Sequence, residues 1–556
     1  MDARQGEAIS TTGPVAAPVT EPPGGPMRWN GWGDPALVKE LPLAVRALLP
    51  VKLGRVPKPA PAARLEEVSL LQPRLSGEDL AAIVALVGEG HVALDDETRL
   101  RHAGGRSTVD LLRRRERTQH VPDAVVSPAS HEEVLAVLRL ASERGIAVVP
   151  FGGGTSVVGA LDPERGAHRA VIALELRRLN GLLDLDVRSG QARFLAGTTG
   201  PEAERALAEH GFELGHYPQS FLYATLGGFA AARSSGQNSA GNGRFDSMVL
   251  GMRVATPTGE LSLGVAPGSS VGPDLSRLFL GSEGVFGVIT ELELRVHRIP
   301  AVRECEGWTF SSFEAGAEAL RRVAQLGAGP TVIRLSDEAE TGVSLAQHGR
   351  IGKALAKGCS VVTVFEGDLD EVRARHERTA RILAEAGGVS AGSEPAESWI
   401  RGRFGAPYLR DSLLDHGVFC ETLETATTWS KLEQLKHEVT AAIDSGFAEH
   451  GSRSLVLCHV SHIYPTGAAL YFTIVAGVKG DALEVWARVK AGVNDAIVAG
   501  GGTLSHHHGV GRDHAPWLAR EIGEGGVRLL RAVKAEVDPE GIMNPGALLV
   551  AESRHG

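Results

Sequence analysis

The sequence predicts an α+β protein of two domains. From Glu89 to about Pro300 short β-rich runs alternate with helical ones, and beyond Pro300 longer helices alternate with apolar strands. Four glycine-rich loops fall where strands meet helices in the first region, and glycine as a whole reaches 69 of 556 residues, well above the usual ~7%. That clustering points to backbone-built ligand sites. The chain is 43% hydrophobic and 22% charged with a net charge of −10, the balance of an ordinary globular protein with room for large cores. No sustained Lys/Arg stripe is present, so nucleic acid is not an expected partner.

The elements follow in order. Residues 1–26, rich in Ala, Pro, Thr and Gly, read as a disordered tail. Order is expected to begin at Arg28-Trp29-Asn30-Gly31-Trp32-Gly33, opening an N-terminal helical segment, 27–85. Within it Ala36–Leu53 is moderately apolar with Lys39, Arg46 and Lys52 interspersed. This suits a short helix packed on the body, favoured by Pro42 and Pro50, or a basic interfacial helix touching a membrane. The first domain, 86–298, is expected to carry strands at Ala124–Ser127, Ala147–Pro150, Ala170–Leu174, Gln191–Ala196, Met248–Thr256 and Val288–Val296. Its helices are His131–Arg144, apolar at Val134, Val137, Leu138 and Ala141, and Pro201–His210, stopped by Gly211. The second, 299–500, should hold helices Phe313–Leu326, Asp370–Ala386, Trp429–Glu449 and Leu483–Ala499 and strands Cys359–Phe365, Ser454–Val460 and Ala468–Val475. Residues 501–556 return to a glycine and histidine loop, a helix Gly525–Val537 and an extended tail. Cys305, Cys359, Cys420 and Cys458 form no CxxC pair, which fits a reducing compartment. No run approaches the ~18 apolar residues of a spanning helix and no signal-like apolar stretch opens the chain. The expected location is cytoplasmic.

Pro150-Phe151-Gly152-Gly153-Gly154-Thr155-Ser156 directly follows a predicted strand. Adjacent glycines let N–H groups converge on an anion without Cβ interference, and the two hydroxyls add donors, so the loop can cradle a pyrophosphate. Its spacing is neither GxGxxG nor GxxxxGK[ST]. Downstream, Gly197-Thr198-Thr199-Gly200 precedes a helix, Pro218-Gln219-Ser220 leads into Thr225-Leu226-Gly227-Gly228 and then Arg233-Ser234-Ser235-Gly236, and Gly281-Ser282-Glu283-Gly284-Val285-Phe286-Gly287-Val288-Ile289-Thr290 leads into a strand. Four such loops in one domain suit an extended dinucleotide.

The set PFGGGTS, TLGG and GSEGVFGVIT resembles the FAD-binding domain of the vanillyl-alcohol oxidase and p-cresol methylhydroxylase superfamily. Within it the chain is most similar to the alkyldihydroxyacetonephosphate synthase family, through Arg28–Gly33, Gly215-His216, Tyr408-Leu409-Arg410-Asp411, Leu470-Tyr471-Phe472 and Ser505-His506-His507-His508-Gly509-Val510-Gly511. The resemblance runs from about residue 27 to the C-terminus. It implies an FAD domain of two subdomains, a cap domain over 299–500, and a C-terminal segment returning to the flavin site. It also implies non-covalent FAD contacted by Pro150, Phe151, Gly152, Gly153, Gly154, Thr155, Ser156, Gln219, Ser220, Thr225, Gly227, Gly228, Arg233, Ser234, Ser235, Glu283, Gly284, Gly287, Val288 and Ile289. The implied reaction exchanges the acyl chain of acyl-dihydroxyacetone phosphate for a fatty alcohol. Lipid substrates, peripheral membrane contact and a homodimer are the partners it suggests.

Three consecutive histidines cannot all face one way, and Ser505 with Gly509-Val510-Gly511 suggests a tight backbone approach to a ligand. Imidazoles there suit oxyanion binding or acid–base work. Tyr471, in an apolar strand pattern, reads alone as a core tyrosine; the resemblance makes it the proton-transferring tyrosine, with His506, His507, His508 and His216 in the active site. By the same likeness Arg410, Thr422 and Arg334 contact substrate, a guanidinium fork suiting carboxylate or phosphate. His459 departs from the family, which has an arginine there. It echoes the first metal-binding histidine of the D-2-hydroxyacid dehydrogenases. In this chain the second histidine's strand reads Ala469-Leu470-Tyr471 and the third ligand, a glutamate, is His507, so no resident metal is expected. An FAD-linked oxidase or dehydrogenase of a 2-hydroxy acid or alcohol is the alternative reading, and a non-catalytic flavin- or lipid-binding protein a further one.

Overall fold

The computed structural model describes residues 25–550 apart from 39, 42, 55–57, 265, 328 and 348–357. All but the last two residues of the predicted tail lie outside that range. The first domain holds two sheets. In the smaller, Ala124–Val126, Ala170–Glu175 and Ile146–Phe151 run parallel, with Val92–Ala93 antiparallel on one edge. These strands are apolar on both faces because both are covered, as parallel pairing requires. The helix His131–Arg144 buries Val134, Val137, Leu138 and Ala141, and Gly145 ends it in the left-handed conformation. The second sheet is antiparallel, ordered Gly259–Leu263, Val249–Thr256, Val288–Arg295, Gln191–Leu195, Leu182–Asp186.

The second domain is built on a seven-stranded antiparallel sheet. Its order is Val389–Gly392, Val302–Phe310, Cys359–Gly367, Val332–Ser336, Arg453–Tyr464, Gly467–Gly477, Phe419–Thr428. One face packs on the helices Phe313–Gln325, Leu369–Glu385, Leu432–Glu449 and Ala482–Ala499 through a core including Leu320, Leu435, Val439, Phe447, Phe472, Trp486 and Val493. The opposite face is free to carry polar chemistry.

Two chain ends tie the domains together. Near the C-terminus Val148 N–H donates to Ile542 O at 2.9 Å and Asn544 N–H to Val148 O at 2.9 Å, adding a parallel bridge beside Ile146–Phe151. The preceding helix spans Leu518–Val537, starting earlier than the sequence suggests, with Gly523 (φ 75°) breaking it. Near the N-terminus Trp32 N–H and Arg28 Nη2 both donate to Asp411. The helix Leu43–Leu53 buries Leu49 and Leu53 against Leu413, Val418 and Val475, while Leu43 (82% exposed) and Val51 (73%) face outward.

Candidate active site

Strand register assembles the site on the open face of the large sheet. Ser336 pairs with His459, His459 with Tyr471 and Tyr471 with Glu424, so four neighbouring strands set Arg334, His459, Tyr471 and Glu424 in a row. The His459 ring stacks on Tyr471 at 4.9 Å and 25°. Arg334 Nη2 donates to Glu340 Oε1 at 2.7 Å and approaches His459 Nδ1 at 3.0 Å. Thr422, two residues before Glu424 and so on the same face, sits beside the Tyr471 hydroxyl and works to lower its pKa. Burial raises Tyr471 to about 12 and lowers His459, the latter helped by the Arg334 charge. A β-bulge between Val460 and His462 inserts Ser461 and returns His462 to the face of His459. There His462 Nε2 meets Ser235 Oγ at 3.0 Å and Gly236 O at 2.8 Å, docking the sheet onto the first domain.

The triple-histidine loop closes over this row because of Glu424. That carboxylate accepts from the backbone N–H groups of His506, His507 and His508 and from Ser505 Oγ, at 2.7–2.9 Å. Successive N–H groups of this kind form an anion nest, and here the anion is the protein's own. Burial works to raise Glu424, and the histidines with the hydrogen bonds outweigh it, holding the carboxylate well below its ordinary range. The loop's glycines follow the same logic: Val510 and Gly511 N–H donate to Glu283 at 3.1 and 2.7 Å. The tight approach of Ser505, Val510 and Gly511 is made to two glutamates, Glu424 and Glu283. The side chains then fan out. His507 lies parallel to Tyr471 at 6.1 Å, His508 edge-on to it at 5.7 Å, and His506 against His462 at 5.0 Å. Burial pushes His508 and His462 down to about 3 and holds His506 well below its ordinary value.

His216 completes the cluster from the first domain. It packs between Phe229 and Phe245, its Nε2 is 3.1 Å from Ser234 Oγ, and burial followed by the nearby His462 and His507 lowers it to about 3. The glycine loops are pressed together here. A Cβ on Gly153 would fall on the carbonyl of Tyr223, one on Gly152 on Thr225 Oγ1, and Gly154 has φ +68°, so the conformation demands glycine whatever it binds. Thr225 caps the helix Leu226–Ala232 through Gly228 N–H, and Gly227 packs on the Ala196 backbone. Ser220 O accepts from the Tyr223 and Ala224 N–H groups. In the last loop Gly284 lies against Pro150, Gly287 (φ +150°) against Ala255 O, and Val288 and Ile289 begin a strand. Two side chains assigned to the cofactor are committed elsewhere: Glu283 to Val510 and Gly511, with its carboxyl raised by burial to about 7, and Arg233 to Asp246 at 2.8 Å. Ser156 Oγ and Gln219 Nε2, by contrast, are buried without a partner among the described residues. Unpaired buried donors of this kind are costly unless a ligand takes them up, and they lie in the loops that a pyrophosphate would occupy.

Arg410 stands apart. Its guanidinium is held by Asp411 Oδ1 at 2.9–3.1 Å and by Arg106 O, within the network that anchors the N-terminal segment. Ligand-type atoms of Glu424, His506 and His507 come within 4.8 Å of one another. Glu424 Oε1 accepts four hydrogen bonds from the loop and Oε2 one, which suits a carboxylate that orders a loop, and His459 is outside the trio. Extensive dialysis against a chelator should leave activity unchanged; loss restored by zinc or manganese would overturn that expectation.

Comparison with known proteins decides the family. Residues 122–263 match the FAD binding domain model and 299–548 the FAD linked oxidases C-terminal domain. The chain is 33% identical to an alkyldihydroxyacetonephosphate synthase of Trypanosoma brucei brucei, covering 94% of this chain and 92% of that one. It belongs to the alkyldihydroxyacetonephosphate synthase family. The synthase of Dictyostelium discoideum is 31% identical over 94% of this chain and 93% of its own. A solved alkyldihydroxyacetonephosphate synthase superposes with a TM-score of 0.80 at 29% identity, covering 95% and 100% of the two chains. A p-cresol methylhydroxylase with substrate bound shares the fold at a TM-score of 0.64 and 16% identity, covering 86% and 98%. The chain is thus an FAD-dependent enzyme.

Sequence reasoning missed Glu424, His462, Glu340 and Tyr464. Period-2 alternation from Thr422 would have found Glu424; His462, three residues from His459, needed the bulge. Glu424→Gln keeps the shape but replaces one oxygen by a donor facing N–H groups. Losing charge-assisted bonds costs ~1.5–3 kcal/mol each, so we expect a melting point lowered by several degrees and activity reduced at least tenfold, measured by thermal unfolding and exchange assay. Unchanged values would show that the loop is held otherwise.

Proposed function

We propose that this protein exchanges the acyl chain of acyl-dihydroxyacetone phosphate for a fatty alcohol, forming an ether bond. The observation that carries the reading is the placement of Tyr471 between His459 and Glu424 under the triple-histidine loop, on a face joined to the FAD domain through His462 and Ser235. FAD, held without a covalent bond, would lie in loops 150–156, 218–228 and 281–289. When bound, oxidised FAD supplies an electrophile, which lets an ester be exchanged for an ether with no net redox change.

The chain's own residues then move protons and hold charge. Tyr471, raised to about 12 by burial, keeps its hydroxyl proton at neutral pH, so it passes protons on instead of starting as a phenolate. The C1 proton of the substrate goes through that hydroxyl toward the imidazoles that face it, His507 and His508. Among the described hydrogen bonds Arg334 uses only Nη2, leaving the rest of its fork for a phosphate or carboxylate oxygen. Arg410, whose three guanidinium nitrogens are engaged by Asp411 and Arg106 O, would reach a substrate oxyanion only by exchanging one of those bonds. His216, buried between Phe229 and Phe245 of the first domain, adds a further imidazole near His462 and His507.

Under anaerobic conditions, mixing the yellow protein with acyl-dihydroxyacetone phosphate and alcohol should give product while the visible absorption is unchanged at completion. Lasting bleaching by either substrate or by a 2-hydroxy acid would favour the oxidoreductase alternative. For such lipids we place the protein in the cytoplasm at a membrane surface, touching it through the outward Leu43 and Val51. The Leu43→Asp, Val51→Asp variant should then sediment with phospholipid vesicles several-fold less than wild type; equal sedimentation would remove this surface from the account.

A further inference from the structure

The proposed exchange releases an acid as well as an ether. Converting an ester to an ether with an alcohol liberates a carboxylic acid, and at neutral pH that acid leaves as its anion. The alcohol's O–H hydrogen is left over, so each turnover discharges one proton from a site whose reacting face is buried.

A connected path leads away from that face. His507 Nδ1 lies 3.1 Å from His506 Nδ1, and His506 Nε2 is hydrogen-bonded to the Tyr464 hydroxyl. Tyr464, at the end of its strand, lines an open surface groove of about 420 Å³ together with Thr427, Thr466, Thr503 and Glu521. A groove of that size, open to solvent and lined by threonine hydroxyls and Glu521, holds a cluster of waters. We infer that His506 and Tyr464 are a proton exit, carrying the proton released in each turnover from His507 to the water of this groove.

The hydrogen-bond directions permit it. In the outward state His507 Nδ1–H donates to His506 Nδ1, and His506 Nε2–H donates to the Tyr464 oxygen. Once the proton has passed, each bond reverses: the Tyr464 O–H faces His506 Nε2, and His506 Nδ1–H faces His507. The guanidinium of Arg244 beside Tyr464 can only donate, so it favours this resting order. Each group gains one proton as it loses another, and neither nitrogen pair has to carry a lasting cation. Burial keeps His506 neutral, the form in which an imidazole passes a proton from one nitrogen to the other. Glu424 holds the loop backbone so that the two Nδ1 atoms face each other. Tyr464 touches neither substrate nor flavin loop in this scheme, so its effect is separable from binding.

The inference rests on the synthase reading, and the experiment separates the two. Wild type, Tyr464→Phe and Tyr464→His are assayed for ether product at low and high imidazole buffer. No product from wild type in any buffer would sink the synthase reading itself. With wild type active, Tyr464→Phe should retain FAD and KM but lose at least tenfold in kcat, recovered by added imidazole, which leaves wild type unaffected. Tyr464→His, which restores a proton-passing group, should exceed Tyr464→Phe. A Tyr464→Phe enzyme within threefold of wild type at every buffer concentration would overturn the proton exit. So would loss of flavin by that variant, or Phe outperforming His, since packing alone favours the isosteric ring.

Discussion

Tyr471→Phe is expected to bind FAD and to melt close to wild type, yet to lose roughly 10²- to 10⁴-fold in exchange rate. The hydroxyl is buried beside Thr422, and deleting one such group costs on the order of 1 kcal/mol of stability, too little to unfold the protein. Its position decides the rest. Stacked on His459 and faced by His507 and His508, it is placed to pass a proton to the histidine cluster. Flavin content, thermal unfolding and kcat measured on the same preparation separate the effects. Activity within about threefold, a change of only ~0.7 kcal/mol in barrier, would return Tyr471 to an ordinary packed side chain.

Gly153→Val should abolish flavin retention. A Cβ there lands on the Tyr223 carbonyl and close to the Ala224 Cα, both backbone, so nothing flexible can yield and the loop must move away from residues 223–225. Overpacking of this kind costs typically 1–3 kcal/mol, and the displaced loop carries Ser156, whose unpaired hydroxyl is one of the donors left for a pyrophosphate. The purified variant should be colourless, with the second domain still folded by circular dichroism. Stoichiometric FAD in Gly153→Val would refute the assignment of this loop.

The parallel sheet of the first domain was legible because its strands are continuous apolar runs and the helix His131–Arg144 carries a clean 3.6-residue pattern, whereas the short strands Leu182–Asp186 and Gly259–Leu263 at the edges of the second sheet, in which no residue is fully buried, were not. In the second domain the sequence announced strands at Cys359–Phe365, Ser454–Val460 and Ala468–Val475 but not Val302–Phe310, Val332–Ser336, Val389–Gly392 or Phe419–Thr428. The reason is physical. Phe419–Thr428 reads Cys-Glu-Thr-Leu-Glu-Thr after its first residue, because one of its faces carries Thr422 and Glu424 to the site, and a strand that gives a face to chemistry loses the hydrophobic signal. The orientation of His506, His507 and His508 was unreadable for a related reason: it is set by a carboxylate some eighty residues earlier in the chain. The motif marked the loop, and Glu424 aims it.

The most direct measurement is to incubate the purified yellow protein with acyl-dihydroxyacetone phosphate and labelled hexadecanol and to follow the label. The account predicts a labelled ether lipid, one equivalent of free fatty acid for each ether formed, and flavin still oxidised at the end. Fatty acid release without label in an ether, or product that appears only as the flavin is reduced, would contradict it.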